Sequence, residues 1–348
     1  AQIPGTAISM DPRTNRVSVL ADRTVTGSDW DKLVKTAESM DGLVTVKKTA
    51  GEFRLFGNNA GAAGNAGAGN GAPADNGNAG VGNGADNGNA GAGNGNGNAN
   101  GGAAGDGAAG GAGDAGAGDA GAGGAGAIDG GDSIFGGNVV CSLGFNVELN
   151  GAPAFLTAGH CAEASQTWSA DQAGQQQLGT VAEAQFPGSD FAVVPYDDPN
   201  TAAPSTVDLK DGTTQVINQA AEAAVGMPVV RSGQTTGVSD GTVTGLNVTV
   251  NFGNGDIVNG LIQTDVCAEP GDSGGPLFSG DSAIGLTSGG NGDCTQGGVT
   301  FFQPVTAALQ ATGAQIVPDN GAGDAGGAGD AGAGDNAAGG NAGGNAGQ

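Results

Sequence analysis

The amino-acid sequence predicts an all-β central domain, residues 128–318, built as a sandwich or a pair of barrels. Short apolar runs rich in Val, Ile, Phe and Thr recur here, separated by Gly, Asn, Asp and Pro, which is typical of strands joined by turns. Helical periodicity is scarce, and the one convincing helix runs from about Pro304 to Ala311. The predicted strands cover residues 139–143, 153–157, 191–194, 229–231, 241–251, 257–264, 283–287 and 299–303.

The distribution of glycine sets the limits of this domain. Of the 74 Gly residues in the 348-residue chain, 28 fall in residues 57–127 and 12 in residues 319–348. These segments contain almost no apolar side chain larger than Ala, so burial cannot offset the entropy lost on ordering them. We therefore expect a disordered Gly/Ala/Asn-rich linker at 57–127 and a disordered Gly/Ala-rich tail at 319–348, which leaves a head, residues 1–56, and the central domain.

The head has the pattern of a small α/β unit. Two alternating segments flank a turn-forming Asp-Pro-Arg-Thr-Asn sequence, which predicts a β-hairpin. Ser28, with Asp31 three residues later, predicts a helix start, and apolar residues then recur at helical spacing until Asp41-Gly42. A unit of this length is marginal as a free domain. We therefore expect the head to pack against a partner surface. Its predicted strands cover residues 7–10, 17–20, 43–47 and 53–56.

Charged residues, like glycine, are distributed unevenly along the chain. The formal net charge is −25, and the central domain carries −17 of it because Lys210 and Arg231 are its only basic residues. The head carries +1, which favours docking on the acidic domain. An acidic domain repels phosphate groups, which argues against nucleic acid and anionic membrane as partners. The chain also has no run of about 18 apolar residues that could cross a membrane.

The four cysteines, at positions 141, 161, 267 and 294, all lie in the central domain. None has the spacing of a zinc motif, and with a single His in the chain we expect no metal and no other cofactor. Disulfides in an oxidising compartment are the better interpretation, with three possible connectivities. The chain opens AQIPGTAISM, without a signal-peptide pattern, so we expect a secreted, extracellular protein that is already trimmed.

Three local motifs could together form a nucleophilic site. The only His, His160, lies in TAGHC, Asp190 directly precedes an apolar strand, and Ser273 lies in the Gly-rich turn GDSGGP. A serine hydroxyl is a poor nucleophile until a base takes its proton, and the base needs an acid that fixes its tautomer and stabilises its cation. A lone His is more often structural, but the three motifs together favour catalysis.

These motifs and their neighbours resemble the chymotrypsin-fold serine proteases, and among them the bacterial streptogrisin and alpha-lytic protease group. The resemblance implies two perpendicular six-stranded antiparallel β-barrels, 128–215 and 216–318, with a short C-terminal helix. His160 and Asp190 would come from the first barrel and Ser273 from the second, with the site in the cleft between them. The matching segments are CSLGFNV (141–147), FLTAGHC (155–161), CAEPGDSGGPLF (267–278), GLTSGG (285–290) and TFFQPV (300–305).

The same resemblance implies the supporting roles. The backbone N–H groups of Gly271 and Ser273 would form the oxyanion hole, and Ser288 would hydrogen-bond the triad Asp. Asp272 is buried in the family, where a carboxylate needs a partner, and Arg231 matches the position that pairs with it. The implied disulfides are Cys141–Cys161 and Cys267–Cys294.

The resemblance also implies a pocket for a large apolar side chain. Cys267 stands where a trypsin-like enzyme would carry an Asp, so a preference for Lys or Arg is not expected, although Glu269 lies nearby. The pocket would be lined by small uncharged residues. They are Ala268, Thr287, Gly289, Gly290 and Gly298.

Residues 3–54 resemble the C-terminal part of the family's pro-region, which acts as a folding catalyst and then as an inhibitor. We therefore predict a monomeric serine endopeptidase for protein and peptide substrates, made as a proenzyme and self-processed. The cut would follow Phe56 or fall near Ala127-Ile128. The alternative is a Gly-rich surface or matrix protein carrying an inactive protease-like binding module, but a complete triad favours the enzyme.

Overall fold

The head consists of a three-stranded sheet, one helix and a separate short strand. The computed structural model describes residues 3–11, 14–59, 127–292 and 294–318, so the predicted disorder of the linker and the tail lies almost wholly outside the described residues. Strands β1 and β2 form the predicted hairpin, and α1 leads to β3, which lies parallel to β2. The helix begins one residue before Ser28, and Thr26 rather than Ser28 is its N-cap. The head elements are β1 (Thr6–Asp11), β2 (Arg16–Ala21), α1 (Gly27–Glu38), β3 (Val44–Lys48) and β4 (Arg54–Leu55).

The first half of the central domain consists of two small antiparallel sheets around one core. Their orders are β11-β10-β6-β7 and β12-β13-β9-β8, with β5 (Asn58–Asn59) added beside β7. The core between them contains Ile134, Phe155, Trp168 and Val194, all fully buried. Helix α2 (Gly159–Ala164) follows β9. The strands are β6 (Ser133–Gly136), β7 (Val139–Ser142), β8 (Asn146–Leu149), β9 (Ala152–Thr157), β10 (Thr167–Ser169), β11 (Gln177–Thr180), β12 (Glu183–Gln185) and β13 (Phe191–Pro195).

The second half contains a closed six-stranded barrel. Its order is β17-β20-β21-β22-β19-β18, and the pairing of β17 with β18 closes it. Three short strands precede it: β14 (Thr206–Asp208), β15 (Thr214–Val216) and β16 (Gln219–Ala220). The barrel strands are β17 (Pro228–Gly233), β18 (Gly237–Asn251), β19 (Ile257–Thr264), β20 (Pro276–Ser279), β21 (Ser282–Gly290) and β22 (Thr300–Pro304), followed by helix α3 (Val305–Thr312).

The head adds its sheet to this second barrel. Strand β1 pairs antiparallel with β18, with Ala7 opposite Val250, so β1, β2 and β3 extend the barrel sheet. Strand β4 pairs separately with the end of β21, at Gly289 and Gly290. The head therefore has the partner surface that its small size requires, and its last strand runs into the cleft.

The predicted fold class is confirmed: the central domain has the chymotrypsin fold, mostly strand with a short C-terminal helix. All eight strands predicted for the domain are present, with ends shifted by a few residues. Sequence patterns missed the shorter strands and α2, which carries the His160 motif. No helix among the described residues is long and apolar enough to cross a membrane.

Candidate active site

The nucleophile motif forms a tight turn that needs its glycines. Gly271 and Gly274 have φ values of +104° and +84°, which side-chain-bearing residues rarely adopt. A Cβ on Gly274 would lie 2.1 Å from Thr157 Oγ1. The turn is fastened to the first half of the domain by Ser142, whose N–H donates to Ser273 O at 2.7 Å and whose hydroxyl donates to Gly271 O at 3.0 Å.

His160 connects the nucleophile to a buried carboxylate. Its Nε2 lies 2.7 Å from Ser273 Oγ, and its Nδ1 lies 2.9 Å from Asp190 Oδ2. An ionised carboxylate only accepts hydrogen bonds, so the Nδ1 carries the proton and Nε2 is left to accept the serine hydroxyl proton. The structure therefore brings the three predicted triad residues together in the order Ser273, His160, Asp190.

Asp190 is completely buried but well supplied with donors. Its Oδ1 accepts the backbone N–H of His160 at 2.9 Å, and its Oδ2 accepts the Ser288 hydroxyl at 2.6 Å, as the resemblance implies for Ser288. The backbone N–H of Asp190 donates to Gln303 Oε1 at 2.8 Å. Sequence reasoning missed Gln303 and Ser142, although both lie in segments that matched the family, TFFQPV and CSLGFNV.

The end of the head occupies the cleft next to this triad. Phe56 is fully buried, its N–H donates to Ser288 O at 3.2 Å, and its carbonyl oxygen accepts the Gly271 N–H at 2.5 Å. The next residue, Gly57, is so close that a Cβ there would lie 3.2 Å from His160 Cδ2. The Phe56–Gly57 peptide bond thus lies between the Gly271 N–H, which donates to its carbonyl oxygen, and the imidazole of His160.

Phe56 contacts one residue predicted for the oxyanion hole and one predicted for the specificity pocket. Gly271 donates to the carbonyl oxygen as expected, whereas a role for the Ser273 N–H stays a prediction. A Cβ on Gly290 would lie 2.9 Å from Phe56 Cζ, so Gly290 borders the Phe56 side chain. Gly289 instead faces Arg54 O, and the Thr287 hydroxyl donates to Gly275 O at 3.0 Å. For Ala268 and Gly298 the lining role likewise stays a prediction.

Asp272 and Arg231 form the predicted ion pair, and the Thr236 hydroxyl also bridges the two side chains. Arg231 Nη1 lies 3.4 Å from Asp272 Oδ1, and both side chains are fully buried. Arg231 Nη2 also donates to the Thr236 hydroxyl, which in turn donates to Asp272 Oδ2 at 2.6 Å. Burial lowers the pKa of Arg231, while the Asp272 and Glu269 carboxylates oppose that effect. Backbone N–H groups of Thr235, Thr236 and Glu269 complete the shell around the carboxylate.

Both predicted disulfides are present. Cys141–Cys161 joins β7 to α2 and so clamps the segment that carries His160. Cys267–Cys294 joins two residues that are 27 positions apart in sequence, and Glu269 Oε1 accepts the Cys294 N–H at 3.1 Å. Glu269 is therefore held toward Cys294. The described residues contain no group of three or more His, Cys, Asp or Glu side chains able to hold a metal ion.

A strand-rich domain of two halves with a Ser–His–Asp constellation between them has the architecture of the chymotrypsin-like serine protease class. The Trypsin family model matches residues 128–312, and the Alpha-lytic protease prodomain model matches residues 1–40. The chain belongs to the trypsin family and carries an alpha-lytic-type prodomain at its N-terminal side.

Known relatives place the chain within that family. Streptogrisin-D of Streptomyces griseus is 44% identical over 316 residues, covering 91% of this chain and 62% of its own length. Streptogrisin-A of the same organism is 52% identical over 190 residues, covering 55% of this chain and 61% of its own length. The chain thus spans about three fifths of each. A solved glutamic-acid-specific serine protease, 43% identical, superposes with a TM-score of 0.52 over 54% of this chain and all of that one.

Proposed function

We propose that the protein is a secreted serine endopeptidase that hydrolyses peptide bonds through an acyl-enzyme. The observation that carries this proposal is the placement of the Phe56–Gly57 bond, whose carbonyl oxygen accepts the Gly271 N–H at 2.5 Å in a cleft where Ser273 Oγ lies 2.7 Å from His160 Nε2. A binding module without activity has no need for this alignment. The streptogrisins support the same class of reaction.

The geometry supports a division of labour among the three residues. Ser273 Oγ attacks the carbonyl carbon while its proton moves to His160 Nε2, and the buried Asp190 stabilises the resulting imidazolium through Nδ1. The Gly271 N–H stabilises the negative charge that develops on the carbonyl oxygen. His160 then protonates the leaving amine, and a water molecule hydrolyses the ester by the same route in reverse.

The proposed substrates carry a large apolar or aromatic residue on the acyl side of the cut bond. Phe56 holds this position in the head and is fully buried beside Gly290. A preference for Glu is disfavoured, since the glutamic-acid-specific relative uses a histidine triad in substrate binding. The chain here has a single His, and it lies against Ser273 and Asp190.

We also propose that the chain is a proenzyme that cleaves itself after Phe56. The alternative cut near Ala127-Ile128 is disfavoured because that segment is fastened elsewhere. The Ile128 N–H donates to Ala202 O at 3.4 Å, and the Ile128 carbonyl accepts the Asn146 side-chain amide at 2.7 Å. After the cut, the head would keep its strand in the cleft and act as an inhibitor until it is released.

Active-site labelling tests the proposed function. A fluorophosphonate probe should label the wild-type chain and leave Ser273→Ala unlabelled, and a chromogenic peptide panel should favour Phe, Tyr and Leu over Glu and Arg. Thr214→Ala, at an exposed position of β15, is the control and should label normally. A wild-type chain that takes up no probe and cleaves no peptide would support the inactive binding module instead.

A further inference from the structure

We infer that Thr235 is a positioning residue, whose hydroxyl holds the Pro270–Gly271 peptide group so that the Gly271 N–H points at the reacting carbonyl oxygen. Thr235 lies in the turn between β17 and β18, and its Oγ1 donates to Pro270 O at 2.8 Å. The inference rests on the proposed function and adds a residue to its machinery. No motif in the sequence marked Thr235 for this role.

The two polar ends of the Pro270–Gly271 peptide group point in opposite directions. In a planar trans peptide the C=O and the N–H lie on opposite sides of the C–N bond, so a donor at the oxygen also aims the N–H. Thr235 Oγ1 donates to Pro270 O, while the Gly271 N–H donates to Phe56 O at 2.5 Å. When the cleft holds no carbonyl group, the Thr235 contact still fixes the orientation of this peptide group.

The local backbone does not select this orientation by itself. Gly271 has a φ of +104°, and glycine adopts positive and negative φ about equally readily because it has no Cβ. Turning the peptide group over would give Gly271 a negative φ and point its N–H away from the cleft. Pro270 fixes its own φ but not the ψ that changes in such a turn. A contact from outside the turn must therefore favour the productive orientation.

The turn that carries Thr235 is itself held against the Gly271 segment. The Thr235 N–H donates to Asp272 Oδ1 at 2.9 Å, and a Cβ on Gly271 would lie 2.1 Å from Thr235 Oγ1. The Gln234 N–H donates to the Ser142 hydroxyl at 3.0 Å, and that hydroxyl donates to Gly271 O at 3.0 Å. The same turn thus acts on both peptide groups of Gly271, directly through Thr235 and by way of Ser142.

The side-chain amide of Gln234 lies near the same hydroxyl. Its Oε1 is 2.9 Å from Thr235 Oγ1, and a hydroxyl has only one proton to donate. A glutamine amide has donors as well as an acceptor, so rotation of the Gln234 amide lets its NH2 donate to Thr235 Oγ1. Thr235 then donates its proton to Pro270 O, and Gln234 supports that hydrogen bond.

Two substitutions at Thr235 test the hydroxyl in the self-processed enzyme, with active sites counted by fluorophosphonate titration to its end point. Thr235→Val keeps the shape of the side chain and removes the hydroxyl, whereas Thr235→Ser retains it. Thr244→Val is the matched control, since Thr244 is another exposed threonine whose hydroxyl donates to a backbone carbonyl, that of Gln263 at 3.2 Å on the neighbouring strand.

Thr235→Val should lower kcat for acetyl-Ala-Ala-Phe p-nitroanilide by about 3- to 10-fold, the range that one neutral hydrogen bond supplies. KM should stay within about twofold, because the oxyanion contact strengthens in the transition state and not in the bound substrate. Thr235→Ser and Thr244→Val should keep the wild-type kcat.

A pair of inhibitors separates positioning of the Gly271 N–H from a general structural effect. When Ser273 Oγ adds to acetyl-Ala-Ala-Phe aldehyde, its proton passes to His160 and the aldehyde oxygen becomes an oxyanion. The corresponding alcohol, acetyl-Ala-Ala-phenylalaninol, binds without this step. Thr235→Val should raise the Ki of the aldehyde by the same factor that it lowers kcat, and should leave the Ki of the alcohol unchanged.

The outcomes separate this inference from the proposed function. A wild-type kcat and aldehyde Ki in Thr235→Val would overturn the role of Thr235 while leaving the endopeptidase intact. Equal weakening of both inhibitors, or a Thr235→Ser or Thr244→Val variant as slow as Thr235→Val, would also overturn it. A wild-type chain that cleaves no peptide would instead contradict the proposed function.

Discussion

At the scale of single residues, Asp272 shows how this acidic domain tolerates a carboxylate beside its nucleophile. The side chain is fully buried, and its two oxygens accept three backbone N–H groups and the Thr236 hydroxyl. Neutral donors hold the carboxylate in place, but among the residues that the structure describes only Arg231 supplies an opposite charge at that site, at 3.4 Å. The pair is therefore a structural support for the turn that carries Ser273.

Replacing Arg231 should destabilise the fold strongly. Arg231→Gln leaves the Asp272 charge buried without its cation, a change that typically costs about 3–5 kcal/mol of unfolding free energy. Urea unfolding in a Ser273→Ala background, which prevents self-cleavage, would measure it. Arg23→Gln is the matched control, since Arg23 and Glu52 pair on the surface with side chains 64% and 52% exposed and should lose at most about 1 kcal/mol. Equal stability of the two variants would contradict the assigned role.

Lys210, the second cation of the domain, should stabilise the fold by an amount that depends on pH. Its Nζ lies 2.8 Å from Asp208 Oδ2 and 3.1 Å from Asp132 Oδ1. Burial raises the pKa of Asp129 and of Asp132 above the ordinary value of 3.8, although Lys210 opposes this. A raised pKa means that protonation favours the folded state, so this contribution is present below pH 3.8 and is lost as the pH rises through the raised values.

Lys210→Met should therefore destabilise the protein more at pH 7 than at pH 4. At pH 7 the variant keeps the buried carboxylates charged without their cation, and about 1–3 kcal/mol of unfolding free energy should be lost, between the values for exposed and buried pairs. Near pH 4 a larger fraction of Asp129 and Asp132 is neutral because burial raises the pKa of both, so the loss should shrink. Denaturant unfolding at both pH values measures this, and a loss that is equal at pH 4 and pH 7 would contradict the interpretation.

The triad residues were the most predictable part of the site, and the residues that position them were the least predictable. His160, Asp190 and Ser273 were predictable because each lies in a short motif with a residue type that catalysis demands. Ser142 and Gln303 act through contacts between segments more than 100 residues apart in sequence, 131 for Ser142 to Ser273 and 113 for Gln303 to Asp190. No local pattern marks such contacts.

At the scale of elements, the length of a strand or helix and the regularity of its apolar pattern determined whether the sequence predicted it. The 15-residue strand β18 and the 8-residue β19 contain enough β-branched residues to be recognised. The three-residue strands β10 and β14 give too few positions for a period, and the six-residue α2 gives less than two turns. The pairing of β4 with β21 is set by tertiary contact and could not be predicted from either strand alone.

The segment that leads into β4 depends on one glycine. Gly51 has a φ of +75°, and a Cβ there would lie 1.8 Å from the carbonyl oxygen of Asn291. Asn291 also holds this segment through its side-chain amide, which donates to Thr49 Oγ1 at 2.9 Å and to Ala50 O at 2.7 Å. Gly51 thus lets the head lie flat against the end of β21.

Gly51→Ala should slow self-cleavage because it displaces the strand that places Phe56 in the cleft. We expect conversion of the full chain, followed on gels, to fall by at least about 10-fold, since a small misplacement of the reacting bond is costly. Gly42→Ala is the matched control: Gly42 lies in the same head with a φ of +76°, but a Cβ there meets nothing within 4 Å. Both variants carry the same backbone strain, so equal conversion rates would show that the contact with Asn291 is unimportant.

At the scale of the whole molecule, the head and the central domain share one sheet and one cleft. The hairpin β1–β2 extends the barrel through β18, and the head's last strand ends in the active site. Composition alone predicted that the head needs a partner surface, because it is short and carries +1 against −17. It could not predict that the same surface continues into the substrate cleft, because that depends on the register of β1 against β18 and of β4 against β21.

Self-cleavage after Phe56 should be intramolecular and should leave the linker on the protease. A random coil of 71 residues, the number in positions 57–127, would have a root-mean-square span of about 45 Å, and a flexible tether gives an effective concentration in the millimolar range. The conversion rate should therefore be first order and unchanged over a 100-fold dilution, and N-terminal sequencing of the product should read Gly57-Asn58-Asn59. Leu43→Ala, at an exposed position of the head, should convert normally. A rate that falls in proportion to dilution would indicate cleavage between molecules, and a first product beginning at Ile128 would contradict the assignment of Phe56 as the processing site.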